Sequence, residues 1–154
     1  MRIFVDADAS PRPVKEILFR AADRVPIEVI LVANQPLRLP KSRFVRLEVV
    51  GRGFDVADEW IAEQVEPGDL VITADVPLAA AVVESGGTVI DPRGQVTDAS
   101  NAAARLTMRN FMEEQREALG EGFGGPRPYG DRDKRTFAGA LDRWLAAAKA
   151  RAPR

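Results

Sequence analysis

Short apolar runs alternate along this chain with segments whose apolar residues recur every three or four positions. Ile3, Phe4 and Val5 form the first run and read as a strand. After Pro11 and Pro13, residues Val14, Ile17, Leu18 and Ala21 fall at helical spacing. Proline is tolerated in a first helical turn, where its missing N–H has no intrahelical partner anyway. IEVILVA (27–33) is a near-continuous apolar run, the signature of a strand buried on both faces. Residues 34–43 hold two prolines and no period, which predicts a loop. FVRLEVV (44–50) interleaves Arg46 and Glu48 with apolar residues and predicts a strand nearer an edge. GRGF reads as a turn, and FDVADEWIAEQV (54–65) carries Val56, Trp60, Ile61 and Val65 on a helical stripe. LVITAD (70–75) predicts a further buried strand and PLAAAVVESGG (77–87) a short helix stopped by Gly86 and Gly87. TVIDPRG (88–94) reads as a last strand and turn, and Asp98–Leu119 as one long helix. The final segment places Phe137, Leu141, Trp144 and Leu145 on one stripe of an amphipathic helix.

Strand and helix alternating in this order imply an α/β fold of three layers, with a mostly parallel sheet between helices and an additional C-terminal helix. Crossovers in such sheets are right-handed in nearly all cases. The expected organisation is an α/β domain over 1–119, a flexible glycine- and proline-rich linker over 120–133, and the amphipathic helix with its tail over 134–154. That helix is expected to complete its own core, the commoner use of such a stripe, with docking on a second copy as the alternative.

Composition narrows the chemistry. The 154 residues contain no Cys and no His, so thiol nucleophiles, histidine bases and Cys/His zinc sites are excluded. With 22 basic and 23 acidic residues the net charge is −1, and any affinity for polyanions must come from local clustering. No apolar run approaches the roughly 20 residues of a spanning helix, and the chain opens directly into strand-like residues without a basic leader. A cytoplasmic protein with no membrane partner is expected.

The acids then stand out. Ligands of parallel α/β sheets sit beyond the carboxyl ends of the strands. This rule puts Asp6 and Asp8 at the mouth of the first strand and Asp75 at that of LVITAD. Asp55 and Asp58 share a face at the start of the helix that follows GRGF. An Asp after a strand commonly caps the next helix, and Asp55 and Asp75 both suit that role. Together, however, clustered carboxylates repel and raise one another's pKa unless a cation neutralises them. Mg²⁺ or Mn²⁺, hard ions that favour oxygen ligands, would answer that repulsion, with Asp6, Asp55, Asp58 and Asp75 as candidate ligands. Asn34 and Thr73 are expected on the same rim. The stretch from Gln35 to Gly53 carries Arg38, Lys41, Arg43, Arg46 and Arg52 against a single acid, Glu48. A basic flank beside an acidic metal site suits a phosphodiester, and Asn34, Arg38, Lys41, Arg43 and Thr73 are the candidate substrate contacts. No aromatic residues interleave that flank for base stacking.

The motifs DADASP, LVANQPLR, GFDVADEWI, DLVITADVPLA and DPRG together resemble the YaiI/YqxD family of small bacterial proteins, across essentially the whole chain. The function of that family is not established. It is grouped with PIN-like domains, which are mostly Mg²⁺- or Mn²⁺-dependent ribonucleases with acids at the ends of parallel strands. The resemblance implies that Asp6, an acid of the Asp55/Asp58 pair and Asp75 hold an ion, and that water activated by it hydrolyses a phosphodiester, most plainly RNA. Asp8 belongs to the narrower family's signature. The family usually has Cys where this chain has Ser10, which is read as a small residue at the start of a helix. Two rivals use the same residues. VDADAS also resembles the opening of haloacid-dehalogenase-like phosphatases, with Asp6 as nucleophile, Asp8 as general acid and Thr73 as the second-motif hydroxyl, although no downstream lysine and paired-acid motif is evident. A non-catalytic RNA- or protein-binding module is the other.

Overall fold

The computed structural model describes residues 1–53, 55–119 and 127–151. Five strands come in parallel register: β1 (Arg2–Asp6), β2 (Glu28–Ala33), β3 (Val45–Val49), β4 (Leu70–Ile72) and β5 (Thr88–Ile90). A two-residue strand, β6 (Val96–Thr97), runs antiparallel to β5, and the sheet order is β3-β2-β1-β4-β5-β6. The helices are α1 (Arg12–Arg24), α2 (Val56–Gln64), α3 (Val76–Glu84), α4 (Ala102–Leu119) and α5 (Asp131–Arg151).

Successive side chains of a strand point to opposite faces, and the two halves of the core follow that period. Ile3 and Val5 of β1, with Val29, Leu31 and Ala33 of β2, Leu70 and Ile72 of β4 and Ile90 of β5, pack against α1 and α5. Phe4, Ile30, Val32, Val71 and Val89 point the other way and meet Ile61 of α2 and Leu78, Ala79 and Val82 of α3. The central strands are therefore buried on both faces, as their unbroken apolar runs predict, and the architecture is the expected three-layer α/β fold. The stripe Val14, Ile17, Leu18 and Ala21 is buried along α1. No helix crosses over between β2 and β3; the loop lays Leu37, Leu39 and Phe44 on the α1 side of the sheet instead.

The C-terminal helix belongs to this core. Phe137, Leu141, Trp144 and Leu145 are all buried against the α1 face, so the stripe is covered within its own chain and is not free to dock a second copy. The helix begins at Asp131, three residues before the expected start at 134. Of the expected linker at 120–133, residues 120–126 lie outside the described residues, as do residues 152–154 of the tail.

A clamp fastens the start of α5. The buried Asp133 receives two hydrogen bonds from Arg127 (2.7 and 2.8 Å), one from Arg93 (3.0 Å) and one from the Gly130 backbone N–H (3.0 Å). Tyr129 donates to the Pro92 carbonyl at 2.9 Å, tying the same segment to the turn after β5. In that turn Gly94 has φ +90°, and a Cβ there would lie 2.6 Å from the backbone carbon of Thr136 in α5. Only glycine allows this approach. The Arg127 hydrogen bonds hold the Asp133 carboxyl down to about 2, against the opposing effect of burial.

Two predictions follow from the clamp. Gly94→Ala is expected to destabilise the fold by at least about 2 kcal/mol, from strain at positive φ and collision with α5, as read by denaturant unfolding. Because the Asp133 pKa is depressed, its stabilising effect is complete above the ordinary value of 3.8 and is lost as pH falls through about 2. Asp133→Asn should lower the thermal midpoint at neutral pH and show a shallower loss of stability than wild type on acidification through that window.

Candidate functional site

Where a parallel sheet reverses its winding, the loops leaving adjacent strands diverge to opposite faces and leave a crevice at the carboxyl ends. Here the reversal falls between β1 and β4, neighbours at the centre of the sheet. Asp6 is the last residue of β1, Thr73 follows β4 directly, and Asp75 is the N-cap of α3. Asp58 lies in the first turn of α2, and Asp55 occupies that helix's N-cap position in a left-handed conformation, φ 65°. Asp55 makes no side-chain capping bond, whereas Asp75 accepts from the Leu78 N–H at 2.8 Å.

Thr73 joins the two strand ends. Its hydroxyl makes a long hydrogen bond to Asp6 Oδ2 (3.4 Å) and accepts the Asp75 backbone N–H at 3.1 Å. The acids act on one another through space. Desolvation pushes the Asp58 carboxyl up to about 6, helped by the negative charges of Asp75, Asp6 and Asp55 and by hydrogen bonding to Asp75. Desolvation also raises Asp6, with Asp8 and Asp75 adding to it and the Thr73 hydroxyl opposing it. Asp6, Asp58 and Asp75 therefore share one rim and one electrostatic field.

Among the described residues, no three carboxylates converge tightly enough to form an all-protein cage for an ion. Zn²⁺ or a fully coordinated Ca²⁺ is thus a poor fit to this arrangement. Mg²⁺ keeps most of its waters and is commonly bound through one or two carboxylates plus substrate phosphate oxygens. Asp6 and Asp75, bridged by Thr73 and faced by Asp58, have the donor chemistry for such an ion.

Asp8 and Ser10 have local duties. Asp8 Oδ2 accepts the backbone N–H of Asn34 at 2.8 Å and fastens the 3₁₀ turn Ala7–Ala9 to the end of β2. Asn34 is thereby on the rim, with its residue exposed. The Ser10 hydroxyl donates to the Asp6 carbonyl at 2.8 Å and is buried, in keeping with a small residue at the approach to α1.

The basic stretch does not gather at the rim. Phe44 accepts the Val29 N–H at the amino end of the sheet, so Arg43 and Lys41 lie near that end. Val29 pairs with Ile3, and three further residues of strand to Asp6 amount to roughly 10 Å. Arg43 stacks on the Phe44 ring at 4.9 Å, and Arg46 is paired with Glu28 at 2.7 Å. Arg38 lines a separate groove beside Arg12 and Lys15 of α1. The parallel direction of β3 is the cause: its loop must return to the amino end before the strand begins.

A different set of cations faces the acids. A cleft of about 260 Å³ is lined by Thr73, Asp75, Asp91, Gln95 and Thr97 on one side and by Arg105 and Arg109 of α4 on the other. Arg105 donates to Gln95 Oε1 at 3.0 Å, while its buried Nε has no acceptor among the described residues. Arg109 pairs with Glu113 at 2.7 Å. Asp91 is raised by burial, and its Oδ1 accepts the N–H groups of Arg93 and Gln95, both at 2.9 Å. Sequence reasoning missed both arginines. Their i, i+4 spacing was legible, but it gives no sign of which end of the sheet the helix passes.

The sequence pattern of the family described as "Uncharacterized BCR, YaiI/YqxD family" matches residues 4–147. The chain is 56% identical to a UPF0178 protein of Aeromonas hydrophila over 149 residues, covering 97% of this chain and 99% of that one. It is 55% identical to the UPF0178 protein of Saccharophagus degradans over 145 residues (94% and 95% of the two chains) and 55% identical to that of Klebsiella pneumoniae over 149 residues (97% of each). No solved structure matches it. With its acids collected at the reversal of a three-layer α/β sheet, and with relatives this similar over nearly their full lengths, the chain belongs to the YaiI/YqxD family.

Proposed function

We propose that the rim is the active centre of a divalent-metal-dependent phosphodiesterase, acting on RNA by hydrolysis with water, in the manner of the PIN-like ribonucleases. The observation that carries this reading is the meeting of Asp6, Asp58 and Asp75 at the sheet's reversal, with Arg105 and Arg109 across the adjoining cleft. Asp6 and Asp75 would hold Mg²⁺ or Mn²⁺. When bound, that ion polarises a phosphoryl oxygen and lowers the pKa of a water. Thr73 fixes the Asp6 carboxylate by its hydroxyl. Asp58, pushed up to about 6, is poised near neutral pH to accept the proton that the attacking water gives up. Arg105, with an unused buried N–H, and Arg109 supply cations for the substrate phosphates. Attack of water forms the new P–O bond as the bond to the leaving nucleoside oxygen breaks. Asp8 is engaged by Asn34 in shaping the β1 turn, which favours water over the phosphatase scheme that needs Asp8 as a mobile acid.

Cleavage of a single-stranded RNA in Mn²⁺ is expected to fall on the order of a hundredfold or more in Asp6→Asn, and Mn²⁺ should raise the thermal midpoint of wild type but not of that variant. Undiminished cleavage by Asp6→Asn would remove the assignment. A raised carboxyl pKa has the opposite linkage to Asp133. The protonated Asp58 stabilises the metal-free fold fully below 3.8, and that contribution is lost as pH rises through about 6. The metal-free protein should therefore lose stability across this interval and the Mn²⁺-induced rise in midpoint should grow. Asp58→Asn is expected to flatten both trends in a series of thermal melts.

A further inference from the structure

The helix α4 has no buried residue along its 18 positions, a length of about 27 Å. It rests on α3 through the face that carries Ala102, Arg105, Leu106 and Arg109, all partly covered. About a third of a turn away runs a second, apolar face. Ala104, Met108, Phe111, Gln115 and Ala118 repeat there at intervals of four and three, the spacing of a seam between two helices. Met112 and Leu119 widen it. Met108 is 59% exposed, Phe111 52% and Leu119 61%. These are the large apolar residues that water wets most among the described residues, and they fall on one stripe of one helix.

The charges on α4 indicate what covers it. Residues 102–110 carry Arg105 and Arg109 and no acid, a net +2. Residues 111–119 carry Glu113, Glu114 and Glu117 against Arg116 alone, a net −2. A helix so divided is complementary to itself when reversed. Two copies related by a two-fold axis through Phe111 lay each basic half along the other's acidic half, and their helix dipoles oppose. Ala104 then faces Ala118 of the other copy, and the two Phe111 rings meet at the axis. We infer that α4 is the interface of a homodimer, formed by antiparallel pairing of its Met108–Phe111–Leu119 face with the same face of a second copy. This does not depend on the phosphodiesterase reading.

Sedimentation equilibrium of the full chain is expected to give twice the chain mass of 16.8 kDa at micromolar concentrations. Phe111→Glu, which sets two like charges together at the axis, should weaken self-association on the order of thirtyfold or more while leaving the circular dichroism spectrum unchanged. A charge exchange guards against simple misfolding. The double variant R105E/R109E makes α4 acidic throughout, and the triple variant E113K/E114K/E117K makes it basic throughout. Each should sediment as a single chain alone, and an equimolar mixture should restore the doubled mass. A wild-type chain that remains at 16.8 kDa, a dimer indifferent to Phe111→Glu, or variants that self-associate as well alone as mixed would overturn the inference.

Discussion

The acids at the mouths of β1 and β4 repel one another, and the fold holds them together nonetheless. It can do so because the strands that carry them are fixed by burial on both faces: Phe4 and Val71 point into one half of the core, Val5 and Ile72 into the other. Neither strand can slide or rotate to separate its terminal carboxylate without exposing apolar residues. Burying a side chain of this size is worth about 2 kcal/mol, and several are engaged on each strand. The unfavourable field is confined to the rim, where it shows as raised carboxyl pKa values at Asp6 and Asp58. Excess negative charge maintained this way favours any cation that can approach it.

The second half of the molecule is organised around the turn after β5. Asp91 orders that turn through the N–H groups of Arg93 and Gln95, and its carboxylate also lines the cleft. Arg93 turns away from the cleft to the Asp133 clamp, and Gly94 lets α5 lie directly on the turn. The same six or so residues therefore shape the wall of the cleft and anchor the helix that closes the opposite core. A change in one of them acts on both. Stability and site geometry are linked here through backbone packing rather than through a shared ligand.

Much of the fold was legible because burial writes itself plainly into a parallel sheet. IEVILVA and LVITAD are apolar on both faces, and Val14, Ile17, Leu18 and Ala21 keep a helical period. The strand-end acids were legible for the same reason, since a topological rule assigns every parallel strand end to one rim. The rest depended on three-dimensional facts that leave no period. β6 has two residues, too few to alternate. Arg43 and Lys41 are near Asn34 in sequence, yet the return path to β3 takes them to the far end of the sheet. Arg105 and Arg109 are distant from Asp75 in sequence and reach its cleft only because of how α4 passes α3.

The outer edge of β3 is not paired with any other strand among the described residues. An edge of this kind offers a row of backbone donors and acceptors to whatever extended peptide comes past. Arg46 and Glu48 sit within it, and Arg46 is already bonded to Glu28 on the neighbouring strand. An incoming strand would have to disturb this ionic ladder and accommodate its charges before gaining its hydrogen bonds. The polar residues of FVRLEVV thus serve as gatekeepers against edge-to-edge aggregation, keeping the sheet finite at the one side where the fold leaves it open.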